Sequence, residues 1–244
     1  MKDNFSQKAD EYAKYRPTYP PELFDYLDTL VTNKVNAWDC GTGNGQVARQ
    51  LAKSFVTVYA TDISKTQLEN AHKAENIIYT VQPAEQTNFP DGLFDLIVVA
   101  QAIHWFDFDR FYNEVKRTAK KDAIICVLGY GMLQISEQID EVISNFYKNV
   151  IGPYWDDERK YVDEGYKTIP FPFEEIQTPA FTNTKDWELD HLVGYLNTWS
   201  AVKHFINQNG YNPIDELRVQ IEPHWAAEEI KPVSFPLLLR IGKI

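Results

Sequence analysis

Asp39-Cys40-Gly41-Thr42-Gly43-Asn44-Gly45 decides how the rest of this sequence is read. It closes a short apolar run, Val35-Asn36-Ala37-Trp38-Asp39-Cys40, that reads as a buried strand. It opens Gln46-Val47-Ala48-Arg49-Gln50-Leu51-Ala52, where Val47, Ala48 and Leu51 fall at helical spacing. Three alternating glycines let the backbone turn sharply and approach a ligand closely, because no Cβ intervenes. In an open α/β sheet, ligands bind outside the carboxyl ends of the strands, where the strand order reverses. A glycine loop in this position marks such an end.

Working outward, strands alternate with helices. Val56-Thr57-Val58-Tyr59-Ala60-Thr61 is β-branched and ends at Asp62. Ser64 with Gln67 three residues on forms a capping box for the next helix, whose buried side carries Leu68 and Ala71. Residues 77–81, 93–100 and 123–128 are further strands, with a helix over Phe108, Phe111, Tyr112 and Val115 behind Asp107. This alternation predicts a Rossmann-like, doubly wound α/β fold with a mostly parallel sheet. The near-continuous apolar strands agree, since both faces of such a sheet are covered.

After about Met132 the pattern changes. Residues 135–150, 189–206 and 214–221 have helical spacing, and 152–179 are rich in Pro, Tyr, Phe and acidic groups. The final segments, Trp225–Ile230 and Ser234–Ile241, read as an antiparallel C-terminal hairpin. We therefore expect one domain over 1–244: a cofactor-binding core at 30–131, a helical cap insertion at 132–222, and a terminal hairpin at 223–244 completing the sheet.

Composition bounds the function. The net charge is −11, and no Lys/Arg cluster offers a basic patch, so a nucleic-acid partner is not expected. No apolar run reaches membrane-spanning length, so no membrane partner is expected either. The first residues lack a signal-peptide core, and the two cysteines, Cys40 and Cys126, sit in apolar strands. We expect a cytoplasmic protein with free, buried thiols. No His/Cys/Asp spacing resembles a metal site. The oligomeric state is not legible.

Asp62 lies 21 residues after Gly41. A carboxylate at that strand end can accept hydrogen bonds from both hydroxyls of a ribose. The glycines also fit Gly43-x-Gly45-x-x-Ala48, a form of the dinucleotide fingerprint, so an NAD(P)-dependent oxidoreductase is an alternative. In that frame the first glycine falls two residues beyond the strand end, and Asp39 has no role. A fold that binds its cofactor but is catalytically silent is a second alternative.

Ala37 to Gly45 resembles motif I of the class I S-adenosylmethionine-dependent methyltransferases. Tyr59-Ala60-Thr61-Asp62-Ile63-Ser64 resembles their acidic second motif. Pro83-Ala84-Glu85 and Phe89 to Leu96 resemble the third and fourth. Ala100-Gln101-Ala102-Ile103-His104-Trp105-Phe106-Asp107 resembles the narrower trans-aconitate methyltransferase-like (methyltransferase type 11) group. So does the N-terminal Phe5…Ala9…Tyr12…Tyr15-Arg16-Pro17-x-Tyr19-Pro20. The resemblance implies S-adenosylmethionine as cofactor and S-adenosylhomocysteine as product. It implies a methionine moiety backed by Gly41, Thr42, Gly43 and Gly45, with Asp39 near its amino group. Asp62 would hold the ribose, Ile63 would pack on the adenine, and Ala84 and Glu85 would border its edge. Gln101 would offer backbone to the methionine end, and Arg16, beside Tyr12, would pair with the methionine carboxylate. Many relatives carry an Asp before the Ala-Glu pair; Pro83 stands there instead and offers no side-chain acceptor.

The acceptor is expected to be a small molecule methylated on oxygen, a carboxylate or a hydroxyl, by in-line displacement. His104, just past the fourth strand, is the candidate catalytic base, since an imidazole titrates near neutral pH; a structural histidine is the competing reading. Trp105 is a candidate wall of the acceptor site. If the acceptor is a carboxylic acid, as the resemblance suggests, no base is needed and a cation serves better. Arg159 in the cap is the candidate, because guanidinium pairs with carboxylate in a bidentate fork.

Overall fold

A computed structural model of the chain describes residues 14–244. Phe5, Ala9 and Tyr12 of the N-terminal motif lie outside the described residues.

Helix α1 (Pro21–Leu30) starts the fold, with proline in its first turn and Leu23, Phe24 and Leu27 buried on one side. The order is then β1 (Asn36–Cys40), α2 (Gln46–Leu51), β2 (Thr57–Asp62), α3 (Lys65–Glu69), β3 (Ile77–Val81) and β4 (Phe94–Ala100). Helix α4 (Phe108–Thr118) leads directly into β5 (Ala119–Tyr130). The two side-chain caps fall where the sequence places them. Ser64 accepts from the Gln67 N–H at 3.3 Å, and Asp107 from the Arg110 N–H at 3.2 Å.

The main sheet has seven strands in the order β3-β2-β1-β4-β5-β9-β6. Strands β1 to β5 are mutually parallel, and β9 (Leu237–Lys243) runs antiparallel to β5. The strand order reverses between β1 and β4, which sets the switch point beside the glycine loop. Strand β4 is apolar on both sides because each side has its own core. Leu96 and Val98 join one cluster, and Ile97 and Val99 the other. The one charge in that strand, Asp95, is satisfied by Lys120 Nζ at 2.7 and 2.8 Å and by the Asn36 N–H at 2.9 Å.

The cap carries α5 (Glu137–Asn145), continued by a wider turn over Phe146–Val150, then α6 (Arg159–Asp163). It goes on through β6 (Glu174–Ile176), β7 (Thr184–Trp187), α7 (Leu189–Asn197), α8 (Ser200–Asn209) and α9 (Ile214–Ile221). The single helix expected over 189–206 is two helices. Trp199 is extended (φ −68°, ψ 136°) and buried, and the Thr198 hydroxyl takes the Tyr195 carbonyl at 2.6 Å.

The expected C-terminal hairpin is corrected. Residues 225–230, expected as its first strand, form none, and the expected final strand is present over Leu237–Lys243 as β9, antiparallel to β5. The segment before it forms β8 (Lys231–Ser234), and β8 pairs with β7 of the cap instead of with β9. Phe235, buried to 1% exposure, lies in the link between the two strands. Its N–H donates to the Asn183 carbonyl at 2.8 Å, so the chain crosses between sheets with no turn. Ser234 also exchanges backbone hydrogen bonds with Gln134 at 2.8 and 2.9 Å, where the cap begins.

Cys40 and Cys126 are free and buried. Among the described residues no helix is long and apolar enough to cross a membrane, and no three His, Cys, Asp or Glu side chains group as metal ligands.

Candidate active site

The switch point opens into a cavity walled by Arg16, Asp39, Gly41, Asp62, Gln101 and Tyr130 among others. Its floor is the glycine loop. Gly41, Gly43 and Gly45 have φ of 70°, 55° and 82°, the left-handed region where a side chain strains the backbone. Gly41 also lies against β4's exit, and a Cβ there would sit 2.6 Å from Ala102 Cβ. The Gly41 and Thr42 N–H groups both donate to the Thr61 carbonyl at 2.9 Å, which pins the loop to the end of β2.

Asp39 is fully buried at the cavity wall. Its Oδ2 accepts from the Thr42 hydroxyl and from the Ala48 N–H at 2.8 Å. Its Oδ1 has no hydrogen-bond partner among the described residues. Burial pushes this carboxyl up to about 7 from an ordinary 3.8, partly offset by the Thr42 and Ala48 hydrogen bonds. A buried acceptor with an open lone pair fits a cationic group, such as an α-ammonium.

Asp62 has two duties. Oδ2 accepts from the Gly43 N–H at 2.8 Å and Oδ1 from the Ser64 N–H at 2.9 Å. A carboxylate at this strand end is the kind of acceptor that meets vicinal sugar hydroxyls. Ile63 stands beside it on the wall. Gln101 has φ 52°, and its N–H donates to the Leu128 carbonyl at 2.9 Å. The backbone group it can offer a ligand is therefore its carbonyl. Arg16 is held by Tyr130 Oη at 3.1 Å and the Thr198 carbonyl at 3.3 Å, over the Tyr195 ring.

A second cavity adjoins the first and shares Arg16, Gln101 and Trp105 with it. Its other walls are His104, Trp155, Asp156, Arg159, Val162, Trp199 and Ser200. Arg159 lies over Trp155 at 4.6 Å, and its Nε donates to Tyr147 Oη and Asp163 at 2.8 and 3.1 Å. Its two terminal nitrogens make no hydrogen bond among the described residues. His104 is 8% exposed, and burial reinforced by Arg159 pushes it down to about 3. That shift favours the neutral imidazole at pH 7.

Arg16, Asp39, Gly41, Thr42, Gly43, Asp62, Ile63 and Gln101 line the first cavity, and Trp105, expected at the acceptor, lines both cavities. Three expected contacts stand off the first cavity. The α-carbon of Gly45 faces Tyr79, whose hydroxyl a Cβ would meet at 2.2 Å. Ala84 is buried in the core behind the site. Glu85 accepts from the Asp107 N–H at 3.2 Å, which ties it to the start of α4. Tyr12 is outside the described residues. The sequence reading missed Tyr19, Gln67 and Tyr130 on the wall. Tyr130 was within reach, because β5 runs two residues past the apolar stretch that announced it.

Fold and site together define a Rossmann-like enzyme that holds a nucleoside cofactor at the reversal of strand order. Residues 38–127 match the model of a methyltransferase domain family. A Dictyostelium discoideum protein described as a methyltransferase is 31% identical over 99% of this chain and 95% of its own length. A solved structure described as a type II methyltransferase, from Anaeromyxobacter dehalogenans, is 35% identical, with a TM-score of 0.87 over 94% of this chain and 98% of its own. One described as a methyltransferase from Bacillus halodurans, 16% identical over 91% of this chain and 97% of its own with a TM-score of 0.53, shares the fold. The chain belongs to the class I S-adenosylmethionine-dependent methyltransferases, and nothing in these likenesses favours a nicotinamide cofactor.

Proposed function

We propose that this methyltransferase esterifies a small carboxylic acid, with the cofactor in the first cavity and the acceptor in the second. The observation that carries this reading is the shared wall of Arg16, Gln101 and Trp105. An acceptor in the second cavity lies next to whatever occupies the methionine end of the first.

When bound, S-adenosylmethionine supplies an electrophilic methyl group on a sulfonium. The chain's own residues do the rest. Asp39 Oδ1 receives the ammonium, Asp62 the ribose hydroxyls, and the Gln101 carbonyl borders the methionine end. The terminal nitrogens of Arg159 grip the acceptor's carboxylate, with Trp155 and Trp105 beside it. Orientation and exclusion of water by the indole walls lower the barrier. A carboxylate is already ionised at neutral pH, so no side chain need remove a proton. His104, on the wall of the second cavity, is not required as a base in this chemistry.

The test uses cofactor labelled in its methyl group with a panel of carboxylic acids, phenols and amines. Transfer to acids, with the label released as volatile methanol on mild base treatment, is expected. Label retained in a base-stable ether or amine would sink the carboxylate reading.

A further inference from the structure

His104 does not stand alone in the second cavity. Its Nδ1 lies 3.3 Å from the hydroxyl of Tyr166, and the two rings are near-parallel, 27° apart with centroids at 6.1 Å. Tyr166 is fully buried and belongs to the cap, 62 residues further along the chain. Several contacts hold it there. Its N–H donates to the Tyr161 carbonyl at 2.7 Å, and its own carbonyl accepts from Arg240 at 3.4 Å. Its ring fills the space above Gly129 in β5, where a Cβ would lie 2.9 Å from the ring. It also adopts φ 61°, a conformation an aromatic residue seldom takes. Strain kept in a buried residue against a site wall is a sign that its placement matters.

A phenol is a better donor than acceptor toward a neutral imidazole nitrogen, and Nδ1 without a proton is that ring's acceptor. With Nδ1 facing Tyr166, the nitrogen left for the cavity is Nε2. In this tautomer Nε2 carries the hydrogen. We propose that Tyr166 is a positioning residue that fixes His104 as an Nε2–H donor to the acceptor's oxygen, opposite the Arg159 guanidinium. The proposal rests on reading the second cavity as the acceptor site. It favours an acceptor oxygen that arrives ionised and accepts from both donors; a neutral hydroxyl accepts more weakly, and an ammonium offers no acceptor at all.

The experiment is a long-range proton–nitrogen correlation of the imidazole rings in full-length, ¹⁵N-labelled protein saturated with S-adenosylhomocysteine. His104 is assigned by the signal lost in His104→Gln. The charged or titratable groups around it are Arg16, Asp156, Arg159 and Tyr166. The wild type is expected to show the Nε2–H form, unchanged from pH 6 to 8, and Tyr166→Phe a mixture of both tautomers with the fold intact by thermal unfolding. Benzoate is the carboxylate probe; it should shift the Nε2 resonance in the wild type and do so far less in Tyr166→Phe. A Nδ1–H ring or an imidazolium at pH 7 overturns the role of Tyr166 whatever the cavity binds. A Nε2–H ring that ignores benzoate, while Trp155 fluorescence also ignores it, overturns the donor role by removing the acceptor from this cavity. In that case Tyr166 still orders the ring, so the two failures are told apart.

Discussion

Asp62 Oδ2 accepts the backbone N–H of Gly43 at 2.8 Å, so the carboxylate proposed to meet a ribose also holds the glycine loop. Asp62→Ala removes both. Affinity for S-adenosylhomocysteine should fall by about 2–4 kcal/mol, or about 30- to 1,000-fold, and Tm by several degrees as two backbone amides lose their acceptor. Asp62→Asn, which keeps one oxygen, should recover part of the Tm and little of the affinity. Titration calorimetry and thermal unfolding read the two effects separately; an unchanged Kd in Asp62→Ala would remove the ribose assignment.

Asp39 makes cofactor binding depend on pH. Its carboxyl, near 7 in the folded protein, must be ionised to meet an ammonium, so binding releases a proton. Affinity should rise with pH through about 7, by up to tenfold per unit below that value, until the ligand's own ammonium deprotonates. Calorimetry at pH 7 in buffers of different ionisation enthalpy should find about half a proton released. None released would mean that no cation meets Oδ1.

The same group affects stability without ligand. The folded value lies above the ordinary 3.8, so the favourable contribution of Asp39 is complete below pH 3.8 and is lost as pH rises through about 7. Ligand-free Asp39→Asn should therefore gain stability relative to wild type between pH 5 and pH 8, while losing cofactor affinity. Urea unfolding across that range measures the difference; parallel curves would contradict it.

Gly41→Ala introduces a Cβ 2.6 Å from that of Ala102 at φ 70°. Clash and backbone strain together should cost about 2–4 kcal/mol of stability and most cofactor affinity. Adding Ala102→Gly relieves only the clash, so the double variant should regain part of the loss. Full recovery would show that φ imposes no cost here.

Arg159→Lys should act like a loss and not a conservative change. The guanidinium uses Nε for Tyr147 and Asp163 and keeps its terminal nitrogens for the cavity, and an ammonium cannot divide its donors that way. The acceptor's KM should rise at least tenfold with S-adenosylhomocysteine affinity unchanged. Equal changes in both would move Arg159 to the cofactor's side.

The strands, the glycine loop and Asp62 were legible because they are local: apolar runs, glycine spacing and a cap two residues past a strand end. What the sequence hid is tertiary. Ser234 and Leu237 look like parts of one hairpin, yet Phe235 finds its pocket between sheets and sends each strand to a different partner. Tyr166 carries no motif, and only the slot above Gly129, a residue 37 positions earlier, brings it to His104. Glu85 accepts the N–H of Asp107 at the start of α4, a tie across 22 residues that no local motif announces.

Gln134 and Ser234 bring a hundred residues of chain back to the point they left. A segment whose two ends are stitched together is a natural unit to exchange, provided its replacement restores the edge strand β6 and the apolar packing that joins cap and sheet in one core. The segment supplies Trp155, Asp156, Arg159, Val162, Trp199 and Ser200 to the second cavity, whereas every residue lining the first lies before it. This scaffold could be given a new acceptor by transplanting residues 135–233 while its glycine loop stays untouched.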